Sequence, residues 1–112
     1  MIKTGSRAEI NGIIDNVEKT EQGVIITITT IDENGGKKYP NKHNVKVKDS
    51  QKLFHIASLS MQGDIVSIMG PINIDKSIVP IRFTNHTLVF DAARSIKLRA
   101  LHGGTCPLAE GQ

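Results

Sequence analysis

Between Val24 and Ile31 every residue is valine, isoleucine or threonine. Side chains branched at Cβ are stiff and pack well on a pleated surface, so this run is the most constrained piece of the chain and reads as a strand. It leads into Asp32-Glu33-Asn34-Gly35-Gly36, where Asn-Gly supplies the positive φ angles of a tight hairpin. The chain then returns through Tyr39 to Lys48. From Lys42 onward that return alternates: Lys42, Asn44, Lys46 and Lys48 point one way, and His43, Val45 and Val47 the other. Two antiparallel neighbours follow, with lysines sharing one face. Six lysines lie between Lys37 and Lys52 with Asp49 as the only acid among them, while the whole chain carries a formal net charge of only +3. A cationic face concentrated in one place suits a polyanion. A lysine-rich edge strand that resists aggregation has the same composition.

Other elements follow from spacing. Arg7 to Val17 carries Ile10, Ile13, Ile14 and Val17 around Gly12, which predicts a first strand with a bulge at the glycine. Asp49 or Ser50 is placed to cap a short helix in which Leu53, Ile56, Ala57 and Leu59 recur at helical spacing, ended by Gly63. Asp64 to Ile74 resumes a strand pattern, and Pro71 marks its bend or edge. Ile78 to Phe83 predicts a further short strand and Thr84-Asn85-His86 a turn. Thr87 to Leu98 predicts a last long strand, with Leu88, Phe90, Ala92, Ile96 and Leu98 on one parity and Arg94 at a second bulge. Phe54, by helical spacing, and Phe90, by strand alternation, are expected in the core. Residues 100–112 are rich in glycine and small side chains, which predicts a flexible tail after a domain spanning 1–99.

At 112 residues the chain makes one domain of ordinary size, able to bury a core without staples. Its single cysteine, Cys106, forms no internal disulfide, and with Met1–Ser6 lacking an apolar leader run the expected location is cytoplasmic. No apolar run is long enough for a membrane helix. The histidines at 43, 55, 86 and 102 lack metal-ligand spacing, and no glycine-rich phosphate loop precedes a helix. Nor does any motif pair a nucleophile with a base. The expectations are therefore no enzyme, no cofactor, no metal and no small-molecule substrate.

Gln62-Gly63-Asp64-Ile65-Val66-Ser67-Ile68-Met69-Gly70 resembles the start of strand four in bacterial single-stranded DNA-binding proteins and their primosomal relatives. Three strands, a short helix and further strands match the same family. The resemblance covers residues 7 to 99. It implies an all-β fold: a small five-stranded Greek-key OB-fold barrel with one short helix between strands 3 and 4. It also implies a binding face on strands two and three across which single-stranded nucleic acid lies. On that face the resemblance has Lys37, Lys38, Lys42, Lys46 and Lys48 tracking phosphates and Tyr39 offering a ring to a base. Arg82 and Phe83 would form the opposite wall. The tail has one acid, Glu110, where the replication proteins end in an acidic segment, so a phage or plasmid accessory member is the nearer match.

Tyr39 reads equally well as a stacking ring or as a half-buried strand residue. The function this implies is non-catalytic binding of single-stranded nucleic acid, foremost DNA, with little sequence preference, in replication or recombination. The related proteins assemble as dimers or tetramers, so a homo-oligomer is expected. The alternative reading is an OB-fold protein–protein adaptor or phage assembly component whose lysines meet an acidic partner.

Overall fold

In the computed structural model, which describes residues 7–101 and 109–111, most of the chain forms one antiparallel sheet. Strands β1 (Arg7–Thr20), β2 (Gly23–Asn34), β3 (Lys37–Lys48), β4 (Ile65–Pro71), β5 (Arg82–Asn85) and β6 (Ala109–Gly111) lie in the order β3-β2-β1-β4-β5-β6. Helix α1 (Phe54–Leu59) links β3 to β4, as its spacing predicts. No side-chain cap starts it: Leu53 holds the cap position, and neither Asp49 nor Ser50 serves there.

β2 and β3 pair over twelve residues without a register shift, from Gly23 opposite Lys48 to Asn34 opposite Lys37. The turn sits one residue later than Asn-Gly would place it. Gly35 and Gly36 are its two central residues, both at positive φ (62° and 80°), the conformation of a tight hairpin that only glycine adopts without strain. The intact register drives Val24, Ile26, Ile28, Val45 and Val47 into the core and leaves the other parity to water.

β1 serves two partners. Residues 7–13 pair with β4 and residues 13–20 with β2, so the strand passes from one half of the core to the other. The expected bulge is present but displaced: Gly12 stays in register opposite Val66, and the extra residue is Asp15, between Ile14 (opposite Ile28) and Asn16 (opposite Thr27). At the far side, Lys46 N–H donates to Ile78 O (2.9 Å) and Ile78 N–H donates to Asn44 O (2.8 Å). These bonds join β3, one end of the strand order, to the segment leading into β5. The strand expected from Ile78 thus begins only at Arg82, and the expected turn residues Thr84 and Asn85 belong to it. Gly70 is required nearby, because a Cβ there would lie 2.1 Å from the backbone oxygen of Val79.

The last strand expected over Thr87 to Leu98 does not exist. Leu88–Phe90 form a 3₁₀ turn and Ala92–Leu101 form a second helix, α2, so the fold is mostly rather than wholly β. Alternating apolar residues suggested a strand, but Asp91 accepts from Arg94 N–H (3.1 Å) as a helix cap, and the residues after it are good helix formers. Phe90, expected in the core, is 88% exposed for the same reason. Of the expected tail, Ala100 and Leu101 finish α2, Ala109–Gly111 pair with β5, and 102–108 and 112, including Cys106, lie outside the described residues.

α2 is fastened by a buried polar network. Arg94 grips Asp64 with two bonds, Nη1 to Oδ2 (2.5 Å) and Nη2 to Oδ1 (3.1 Å), while its Nε meets Asp91 at 2.8 Å and Nη1 also reaches the Leu59 carbonyl at 3.1 Å. Asn85 donates to Asp64 (2.9 Å) and to Ser60 (3.0 Å), and its carbonyl accepts from Thr87 and Leu88 N–H. Burial alone would raise the Asp64 carboxyl. The bonds from Arg94, Asn85 and Met61 N–H outweigh that and hold it below its ordinary value.

Arg94→Met strands the buried Asp64 carboxylate and should lower unfolding free energy in urea by about 3–5 kcal/mol, whereas Asp64→Asn leaves Arg94 paired with Asp91 and should cost less. A depressed carboxyl stabilises the fold above its unfolded pKa, about 3.9, and that contribution fades as pH falls through the lower folded value. Wild type should therefore lose more stability than Asp64→Asn between neutral pH and the acid limb. Equal losses would place the acid sensitivity elsewhere.

Candidate nucleic-acid interface

Alternation on the unbroken β2–β3 ladder builds an outer face in rows. Ile25 lies opposite Lys46, Thr27 opposite Asn44, Thr29 opposite Lys42, and Gly23 opposite Lys48. On the β1 side, Glu18, Asn16 and Ile13 continue the rows of Ile25, Thr27 and Thr29. Thr27 Oγ1 donates to Asn44 Oδ1 (3.3 Å), tying the middle row across the strands. From Lys42 to Lys48 the lysines span roughly 20 Å along the strand, the scale of a short extended oligonucleotide. At the lower end, Thr20, Glu21, Gln22, Lys46 and Lys48 border an open hollow of about 440 Å³ beside the β1–β2 turn. Asp49 N–H fixes that turn by donating to Gln22 O (3.0 Å).

The structure brings together only part of the residue set drawn from the sequence. Lys42, Lys46 and Lys48 share the face, and Lys38 is on the same parity near the hairpin tip. Lys37 and Tyr39 fall on the opposite parity, so the two faces of the hairpin separate the ring from the lysines; Tyr39 itself is 47% exposed. Phe83 is removed from the wall altogether. It points inward on β5, fully buried among the core residues, and cannot touch a ligand. Arg82, exposed on the outer side of β5, belongs to another patch with Glu9, Asn11, Ser67 and Thr84, and in the strand order β1 and β4 lie between it and β2.

Three of the lysines are engaged by acids. Lys42 Nζ lies 2.9 Å from Asp15, and Lys46 Nζ lies 2.8 Å from Asp75. Lys38 and Glu33 are looser, at 3.9 Å. Among the described residues Lys37 and Lys48 have no ion pair. The turn Asn73–Ser77 presents Asp75: Ser77 O closes on Asn73 N–H (2.8 Å), and Asp75 Oδ1 accepts from Ser77 N–H (2.9 Å) and Ser77 Oγ (2.5 Å). The hydrogen bond from the Lys46 ammonium, followed by those from Ser77, holds the Asp75 carboxyl far below the usual carboxylate range. Sequence reading passed over both acids, since neither the bulge at 15 nor the fold of the 73–77 turn follows from local spacing. Alternation alone could have found Ile25, Thr27 and Thr29, opposite the lysines.

Among the described residues no cluster of three histidines, cysteines or acids could hold a metal ion, and no helix is long and apolar enough to cross a membrane. No family model matches the chain, and no curated protein matches it in sequence. Among solved structures, a small single-stranded DNA-binding protein from Mycoplasma pneumoniae superposes with a TM-score of 0.56 at 16% identity. The match covers 72% of this chain and 86% of that one. The likeness defines a class of fold, the β-sheet architecture of a small single-stranded DNA-binding protein.

The two aromatic residues should separate in a stability measurement. Phe83→Ala should lower unfolding free energy by about 3–5 kcal/mol, whereas Tyr39→Ala should stay within about 0.5 kcal/mol of wild type, both read by urea titration. A small loss at Phe83 would contradict its central place in the core.

Proposed function

We propose that the chain binds single-stranded DNA with little sequence preference, without catalysis, along the outer face of β2 and β3. The observation that carries this reading is the row of Lys42, Lys46 and Lys48 on one side of an unbroken ladder, in a fold similar to that of a single-stranded DNA-binding protein. Cations along an extended path match a polyanion whose charges recur along an extended path. Asn44 between the lysines and Ile25, Thr27 and Thr29 across from them on β2 offer hydrogen bonds and apolar contact without base-edge discrimination. The reading takes the sheet as an OB-fold barrel of Greek-key connection, its seam formed by the Ile78 bonds to β3. The hollow between the β1–β2 turn and β3 lies where such barrels hold oligonucleotides.

Little aromatic surface supports the track, so electrostatics supplies most of the affinity and salt weakens it. The proposal includes a cytoplasmic accessory role in replication or recombination, of the phage or plasmid kind, and assembly as a homodimer or homotetramer that lengthens a short track. The domain it describes runs past residue 99 to the end of α2 at Leu101, with Ala109–Gly111 returning to pair with β5.

Quenching or anisotropy of labelled oligothymidine, titrated at about 50 to 200 mM salt, tests the reading. Affinity should fall as salt rises, and the Lys42→Ala/Lys46→Ala/Lys48→Ala variant should bind more weakly while remaining folded. Equal affinity in the triple variant would remove the assigned face. Absence of binding at the lowest salt would favour the adaptor reading, in which the same lysines meet an acidic protein.

A further inference from the structure

Asp15 and Asp75 approach the lysine row from opposite sides and from elements outside β3. Lys42 reaches over β2 to Asp15 on β1, and Lys46 reaches outward to the turn that follows β4. Each acid is placed by a backbone device. Asp15 is the extra residue of the β1 bulge, and a bulge re-aims a side chain that regular alternation would place elsewhere. Asp75 is held by its two bonds to Ser77 within a turn that itself docks on β3 through Ile78. As contributors to stability such pairs count for little: both are solvent-exposed, and exposed pairs are worth about 0–1 kcal/mol.

We propose that Asp15 and Asp75 mask the DNA track, each occupying a lysine in the free protein and surrendering it to phosphate on binding, so that pair exchange lowers both the affinity and its salt dependence. This rests on the reading of the β2–β3 face given above. The physical step is a swap of partners. A lysine that neutralises a phosphate displaces a condensed cation from the DNA, and this release drives binding. A lysine taken from an aspartate leaves that carboxylate uncompensated, and it recruits a cation from solution. Release and uptake cancel, and the paired lysines drop out of the salt slope.

Asp15→Asn and Asp75→Asn keep shape while removing charge, and the asparagine oxygen at position 75 can still accept from Ser77. Oligothymidine binding would be measured across the same salt range for wild type, both variants and their combination, with Glu9→Gln on the β1–β4–β5 patch as a control for net charge. Thermal unfolding would verify that each is folded. Each track variant should bind roughly two- to fivefold tighter at the lowest salt. Each should also steepen the slope of log affinity against log salt by about 0.7, while Glu9→Gln changes the slope little.

If wild type binds and the Asn variants match it, or Glu9→Gln tightens binding equally, the mask is refuted and the DNA-binding reading stands. If wild type fails to bind and the combined variant binds, the mask is supported and the reading of the wild-type function is refuted. If none binds, both fall.

Discussion

The unbroken pairing of β2 with β3 is the constraint on which the rest depends. Twelve residue pairs run from Gly23–Lys48 to Asn34–Lys37 with no bulge, and two glycines at positive φ set where the count begins. Because side chains alternate with a period of two, a slip of one residue would bury Lys42, Lys46 and Lys48 and expose Val45 and Val47. The cost of burying three ammonium groups without partners far exceeds any gain from a different turn. Core and cationic face are therefore two sides of one decision, made at the hairpin.

This is also why so much of the fold was legible. The β-branched run, the glycines after Asn34 and the lysine alternation are local signals that mark β2 and β3, and apolar spacing marks β1, β4 and α1. The end of the chain was misread because Leu88, Phe90, Ala92, Ile96 and Leu98 satisfy a strand parity while the segment is held as a helix by a cap and a distant ion pair. Arg94, the residue that broke the parity, is the one that reaches across 30 positions to Asp64. Asp64 belongs to the Gly-Asp stretch that resembles single-stranded DNA-binding proteins, and in this chain it anchors α2.

How the candidate face is composed was legible only in part, for related reasons. Alternation put Lys42, Lys46 and Lys48 on one side of the hairpin, as the register has them, but the resemblance added residues that geometry separates: Tyr39 lies on the other side of the hairpin and Phe83 is in the core. The acids that engage the row were invisible because the partners lie 27 and 29 positions apart. Their presence changes the electrostatic character of the face. A stripe that looks strongly cationic in sequence is partly neutral in the folded chain, with Lys48 the lysine of the row that has no ion pair among the described residues.

The most direct measurement of the central claim is a backbone amide NMR titration of the full chain with oligothymidine at low salt. The account predicts shift changes concentrated at Ile25, Thr27, Thr29 and Lys42 through Lys48, with the β1–β2 turn included and α2 unaffected. Changes centred instead on Ser67, Arg82 and Thr84, or no changes at all, would contradict it.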